Sequence, residues 1–202
     1  MNRSAACCLS LATLLLAGTA WAKGDTVLVK ATFNSDLEGG STNTPAEVEW
    51  NSTGGNPGGE VLFIDASGSA TYIQAPDRFL SPAIDYKQLD GKAYISWQHH
   101  MVDETAVEST APYTITISGP GGVAHFSGAP ATVAAKNNWV TVAAPLLQAD
   151  WTVTSGTWKA LLASVTVMQI SLELVTNNTG GTDKEAIDNV EIVSHPQGFG
   201  LK

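Results

Sequence analysis

Apolar and polar residues alternate singly along much of this chain, and that period of two limits its folds more than any motif does. Tyr113, Ile115 and Ile117 alternate with Thr114, Thr116 and Ser118, and Ile170, Leu172 and Leu174 with Gln169, Ser171 and Glu173. Val190 and Ile192 alternate with Asn189 and Glu191, and Val27, Val29, Ala31 and Phe33 share one face of a first strand. Successive side chains on a strand point to opposite faces, so such runs build antiparallel sheet with one dry side and one wet side. Further strands are expected near Val61–Asp65, Thr71–Gln74, Lys92–Met101 and Trp139–Ala143. Clusters of Gly, Asn, Pro and Ser at 39–45, 51–59, 118–122 and 177–181 separate the runs as loops. Only Thr157 to Ser164 reads as helix. The pattern predicts an all-β, two-sheet antiparallel β-sandwich, most simply a jelly roll.

The N-terminus reads as an export signal. Arg3 supplies a positive charge, Cys7 to Gly18 is almost wholly apolar, and Ala20-Trp21-Ala22 offers small residues for cleavage after Ala22. The apolar run is too short to span a bilayer, which takes about 20 residues. It follows Cys7 and Cys8, whereas a lipoprotein signal places it before the cysteine. Both cysteines therefore leave with residues 1–22, and a thiol-free exported domain points to a bacterial source. One domain is expected over residues 23–193, with a polar, flexible tail at 194–202. Losing Arg3 leaves nine basic against nineteen acidic residues, a net charge of −10. No basic stripe is present, which excludes nucleic acid and anionic membrane as partners. No later segment is long and apolar enough for membrane insertion.

The segment Gly54–Leu80, GGNPGGEVLFIDASGSATYIQAPDRFL, resembles the central block of the laminin B domain, or laminin domain IV type A. Asp36-Leu37-Glu38-Gly39, Ile115-Thr116-Ile117-Ser118-Gly119, Trp139-Val140-Thr141-Val142 with Trp151, and Ala186-Ile187-Asp188-Asn189-Val190 are similar to other segments of that family. Gly40 stands where the family usually has an aromatic residue. The resemblance implies a jelly roll related to carbohydrate-binding modules, often with a structural calcium. It implies no common reaction, and the EGF-like repeats that surround the domain in laminins are missing here.

Strand parity puts Asp188 on the face of Val190 and Ile192, pointing inward, where an ionised carboxylate is costly unless paired or metal-bound. With first and last strands adjacent, Asp188 would meet the loop carrying Asn34, Asp36 and Glu38. These oxygen donors suit calcium, and the four residues form the expected metal set, tying the chain's two ends together. The alternative is that Asp188 caps backbone N–H groups while the loop acids are solvated.

Tyr94, Ser96, Gln98 and His100 share one strand face opposite Ile95 and Trp97. Tyr94, Gln98 and His100 form a polar and aromatic platform of the kind that contacts sugars; the alternative is an ordinary wet strand face. Most of the tryptophans are expected in the core. His99 and His100 are consecutive and should face opposite ways, so they do not read as a joint metal site. No nucleophile or zinc-hydrolase motif is present. Asn51-Ser52-Thr53 and Asn177-Asn178-Thr179 fit the N-glycosylation acceptor pattern. The expected function is an exported, non-catalytic binding or adhesion module for extracellular or envelope glycan, outside the cell or in the periplasm. A structural or adhesive protein with a protein partner is the second reading, and a glycosidase with a carboxylate pair is the third.

Overall fold

A computed structural model describes residues 24–65, 70–103, 109–130, 138–176, 184–195 and 198. The expected signal at 1–22 lies outside these residues, as does the acceptor pattern at Asn177. The strands are β1 (Thr26–Ala31), β2 (Ser41–Thr42), β3 (Val48–Gly55), β4 (Gly58–Ile64), β5 (Tyr72–Gln74), β6 (Ala93–Asp103) and β7 (Ser109–Thr110). They continue as β8 (Pro112–Gly119), β9 (Gly122–Pro130), β10 (Val140–Pro145), β11 (Trp151–Gly156), β12 (Val167–Ser171), β13 (Val175–Thr176) and β14 (Lys184–Ser194). Two short helices, α1 (Tyr86–Leu89) and α2 (Trp158–Leu162), sit in the connections.

These strands form two six-stranded antiparallel sheets, as the alternation predicts. The first runs β10-β6-β14-β4-β3, with β1 also paired to β14; the second runs β11-β9-β8-β12-β5-β2. A third pair, β13-β7, lies apart. Opening and closing strands are neighbours, Lys30 opposite Glu191 and Ala31 opposite Val190. Thr157 caps α2 by accepting from the Ala160 N–H, which accounts for the helix starting where the sequence places it.

Between the sheets lie Phe63, Ile95, Trp97, Met101, Ile115, Ile117, Met168, Ile170, Ile187 and Ile192, all 1% exposed or less. Trp97, Trp151 and Trp158 belong to this core, whereas Trp50 stays 36% exposed.

Three expectations change. The Gly/Asn/Pro cluster at 51–59 is a hairpin and not a free loop: β3 runs through it to Gly55, and Gly55 pairs with Gly58. The close approach there needs glycine, because a Cβ on Gly55 would run into the Gly59 carbonyl. Val27 does not join the apolar face of Val29 and Ala31; a bulge between Val27 and Val29 leaves it 45% exposed. Finally, His195 in the expected tail is anchored, its N–H donating to the Lys92 carbonyl at 2.6 Å and its Nδ1 lying 2.6 Å from Asp25 Oδ1.

His99 and His100 do face opposite ways. His99 is fully buried beside Trp97 and Met101, with Nδ1 3.2 Å from the Tyr113 hydroxyl and no partner for Nε2. Burial, then the neighbouring His100, lowers its pKa from 6.5 to about 3. A folded pKa below the unfolded one contributes stability above the unfolded value that is lost as pH falls toward the folded value. Between pH 6.5 and 3, wild type should lose up to about 1.4 kcal/mol per pH unit relative to His99→Phe. Urea midpoints of both proteins across that window measure the difference, and parallel curves would contradict it.

Candidate functional site

β6 carries Tyr94, Ser96, Gln98 and His100 on the outer face of the first sheet, away from Ile95, Trp97 and His99. That face is busy with internal contacts. The Tyr94 hydroxyl donates to Asp25 Oδ2 at 3.1 Å, and Gln98 Oε1 accepts from Asn189 Nδ2 at 2.8 Å. The His100 ring lies 5.2 Å from the Trp139 ring, and both its nitrogens are hidden from water without a hydrogen-bond partner. The adjoining strand β14 is buried from Glu185 to Val193 on both sides. The structure thus gathers Tyr94, Gln98 and His100 on one strand, with the Tyr94 hydroxyl and the Gln98 amide oxygen engaged within the protein.

Asp188 is directly opposite Gln98 and shares its outward face. Strand parity fails here because β14 bulges between Asp188 and Glu191, where Asn189 takes a left-handed φ of 51°. The carboxylate is nevertheless fully buried, because the β3–β4 turn folds over it. Asp188 Oδ2 accepts from Asn56 N–H at 2.7 Å and Oδ1 from Asn189 N–H at 2.6 Å. Burial raises its pKa, the two backbone bonds and Lys30 lower it, and Glu38 raises it.

The four expected metal ligands do not converge. Glu38 forms a salt bridge with Arg78 at 2.6 Å, and its other oxygen accepts from Thr32 N–H and hydroxyl at 3.0 Å. Asp36 accepts from Glu38 N–H at 2.5 Å. Asn34 Oδ1 faces the β3–β4 turn, 3.4 Å from Gly59 N. Among the described residues, no group of three or more His, Cys, Asp or Glu is placed to hold a metal ion. A further acid close to Asp188 is Glu60, which fell between the expected loop at 51–59 and the strand expected from Val61. Glu60 is 3% exposed; Oε1 accepts from Asn51 Nδ2 at 2.8 Å, and Oε2 has no partner. That same bond occupies the Asn51 side-chain nitrogen, the atom a glycan would need.

The outer face of the second sheet is of a different kind. Its six strands contain no Asp, Glu, Lys or Arg, whereas those of the first sheet contain eight. Strand register builds one continuous row across it. Ser41 on β2 faces Gln74 on β5, and Gln74 faces Gln169 on β12. Gln169 faces Thr116 on β8, Thr116 faces His125 on β9, and His125 faces Thr152 on β11. Ser41, His125 and Thr152 are exposed, and the three residues between are half-buried. Thr116 Oγ1 lies 2.8 Å from His125 Nδ1. The amides of Gln74 and Gln169, side by side, make no side-chain hydrogen bond among the described residues. Val167, Ser118 and Val123 border the row on one side, and Tyr72, opposite Ser171, stands on the other. Alternation marked Thr116 and Gln169 as wet positions; only the register brings the row together.

No protein-family model matches this sequence, and no curated protein matches it. Solved structures do share its fold. The L4b domain of human laminin alpha-2 aligns with a TM-score of 0.56 at 10% identity, over 82% of this chain and 96% of that one. The C-terminal family 22 carbohydrate-binding module of Clostridium thermocellum Xyn10B aligns at 0.51 and 13% identity, over 86% of this chain and 96% of that one. The tandem CBM22 domain of Paenibacillus barcinonensis Xyn10C gives 0.52 and 13%, over 84% of this chain and 49% of that one. The chain is therefore a laminin-like or carbohydrate-binding-module-like β-sandwich. Among the described residues, no helix is long and apolar enough to cross a membrane.

Burial raises the Glu60 pKa, against the Asn51 hydrogen bond and with the Asp188 charge. A raised folded pKa contributes stability that is present at acid pH and lost as pH rises through it. Without added cations, Glu60→Gln should therefore stabilise the protein by about 1 kcal/mol near neutral pH and have little effect near pH 4. Thermal melts at both pH values decide it; an equal shift at both would be the wrong answer.

Proposed function

We propose that this protein is an exported, non-catalytic module that recognises glycan through the outer face of its second sheet. The carrying observation is the pair of unpartnered glutamine amides, Gln74 and Gln169, at the centre of an uncharged row. Each amide offers donors and an acceptor, the complement of sugar hydroxyls, and an unpaired half-buried amide gains when a ligand supplies the missing bonds. Sites of this kind place a few convergent polar groups beside apolar surface, here Val167, Val123 and Tyr72. The fold likeness to carbohydrate-binding modules supports the same reading. The Tyr94, Gln98 and His100 platform is the weaker candidate, since two of its three members already have internal partners.

A glycan array with the intact protein tests this function. Gln74→Ala and Gln169→Ala should each weaken the positive signals about tenfold, the loss of one or two neutral hydrogen bonds. Tyr94→Ala and Gln98→Ala should leave them. The reverse pattern would move the site to the first sheet, and a blank array with reproducible capture of one protein partner would favour the adhesive reading. Turnover of chromogenic glycosides would contradict the absence of catalysis.

Calcium is proposed as a structural ion at Asp188, with Glu60 and Asn34 in place of Glu38. The unpartnered buried Glu60 Oε2 beside Asp188 fits a hard cation, which takes carboxylate, amide and backbone oxygens. Bound there, it would neutralise two costly carboxylates and join the end of β1, the β3–β4 turn and β14. EDTA should then lower the melting temperature of wild type by several degrees and leave Asp188→Asn unchanged. Identical melting of wild type in calcium and in EDTA would count against the ion.

A further inference from the structure

His99 and His100 stand back to back on β6 and between them hide three ring nitrogens without a hydrogen-bond partner. These are Nε2 of His99 and both nitrogens of His100. A neutral imidazole carries one N–H and an imidazolium carries two. An imidazolium left in this setting would bury a charge and unpaired donors, whereas one that reaches water satisfies both. As a residue His100 is only half-buried; its nitrogens are the hidden part, and the ring packed against it is that of Trp139. The two centroids are 5.2 Å apart, with the planes at 39°.

The way β10 is attached makes this contact a weak point. β10 is an edge strand and bonds to β6 alone. Its far end is tied down: Leu146 N–H donates to the Ala93 carbonyl at 2.8 Å, and the Leu146 carbonyl accepts from Gly91 N–H at 2.6 Å. The Pro145 carbonyl accepts from Trp151 Nε1 at 2.6 Å, and Val142 and Ala144 are buried in the core. Among the described residues, the near end is held by Val140 opposite His99, Thr141 opposite Gln98, and Trp139 on His100. Trp139, Val140 and Thr141 are all half-buried.

We infer that the start of β10 is an acid-opened flap: protonation of His100 lifts Trp139 and peels residues 139–141 from β6 while the rest of the sandwich stays closed. The flap belongs to the first sheet and is independent of the glycan reading. Water that reaches His100 must displace Trp139, and Trp139 adjoins Val140, the strand partner of His99. The same motion therefore loosens the cover over both imidazoles. On the inner side, His99 faces the Tyr113 hydroxyl of β8, and Glu185 of β14, opposite Met101, acts on Tyr113. On the outer side, β14 sets Ala186 opposite His100, with Lys184 opposite Asp103 at the strand end. Burial alone lowers the His100 pKa from 6.5. His99 follows only at lower pH, because burial and the neighbouring His100 both oppose its charge. A closed-state value below the open-state one favours the closed flap above pH 6.5. That advantage falls by up to about tenfold per pH unit as pH drops toward the closed-state value.

Amide hydrogen exchange of the intact protein, expressed as protection against the intrinsic rate at each pH, tests the flap. Between pH 6.5 and about 4.5, residues 139–141 should lose about tenfold or more in protection, with Ile115, Ile117 and Ala144 unchanged. His100→Phe keeps a ring against Trp139 and takes no proton, so it should retain that protection throughout. Wild type supplies a check that needs no variant: an NMR titration should show the His100 ring taking its proton over the same pH range in which the exchange changes. An equal loss across both sheets, the same loss in His100→Phe, no loss at all, or a His100 ring that titrates with residues 139–141 still protected would each overturn the inference.

Discussion

The structure depends on how β14 shares its two edges. One edge pairs with β6 along nearly its whole length; the other pairs first with β4, from Lys184 to Ile187, and then with β1, from Val190 to Ser194. The handover falls at Asp188–Asn189. Neither β4 nor β1 supplies a ladder partner there, so the backbone bulges and Asn189 takes a left-handed conformation. Asp188 is then turned outward and is held by N–H groups from the β3–β4 turn and from its own neighbour. Without that junction the chain's ends would not meet, and the first sheet would split into two ribbons.

This junction also explains why the two faces differ. Charge in the first sheet gathers round the handover: Lys30 with Glu191 at 2.8 Å, Glu60 with Asn51, Asp188 with Asn189. Apart from Glu60 Oε2, these groups satisfy one another, which makes the face structural. The second sheet has no such junction. Its strands pair in register with few interruptions and need no charged side chain to hold them, so its outer face keeps the Gln74 and Gln169 amides without internal use.

Much of the fold was legible in single residues. Ile115 and Ile117 lie in the core and Thr116 outside, as their alternation requires, and Thr157 starts a helix because its hydroxyl caps one. Trp97 is buried and the two histidines of β6 part to opposite faces. Less legible were strands whose polar and apolar residues do not alternate cleanly: β3, rich in Gly, Asn and Ser, reads as loop until β4 pairs with it. The candidate site was less legible still. Asp188 was recognisable as an unusual acid, but its partners were not, because Glu38 finds Arg78 forty residues away and Glu60 arrives through a hairpin.

The sequence by itself determined the sheet character, the dry and wet sides of the main strands, and the net acidity. These are local matters: a period of two and a sum of charges need no knowledge of neighbours. Which wet residues stand together was decided only by tertiary structure. Gln74 and Gln169 are ninety-five positions apart, and strand register, a long-range property fixed by the packing of both sheets, makes them adjacent. Likewise a single extra residue in β14 reversed the side on which Asp188 emerges, because one step along a strand exchanges its faces.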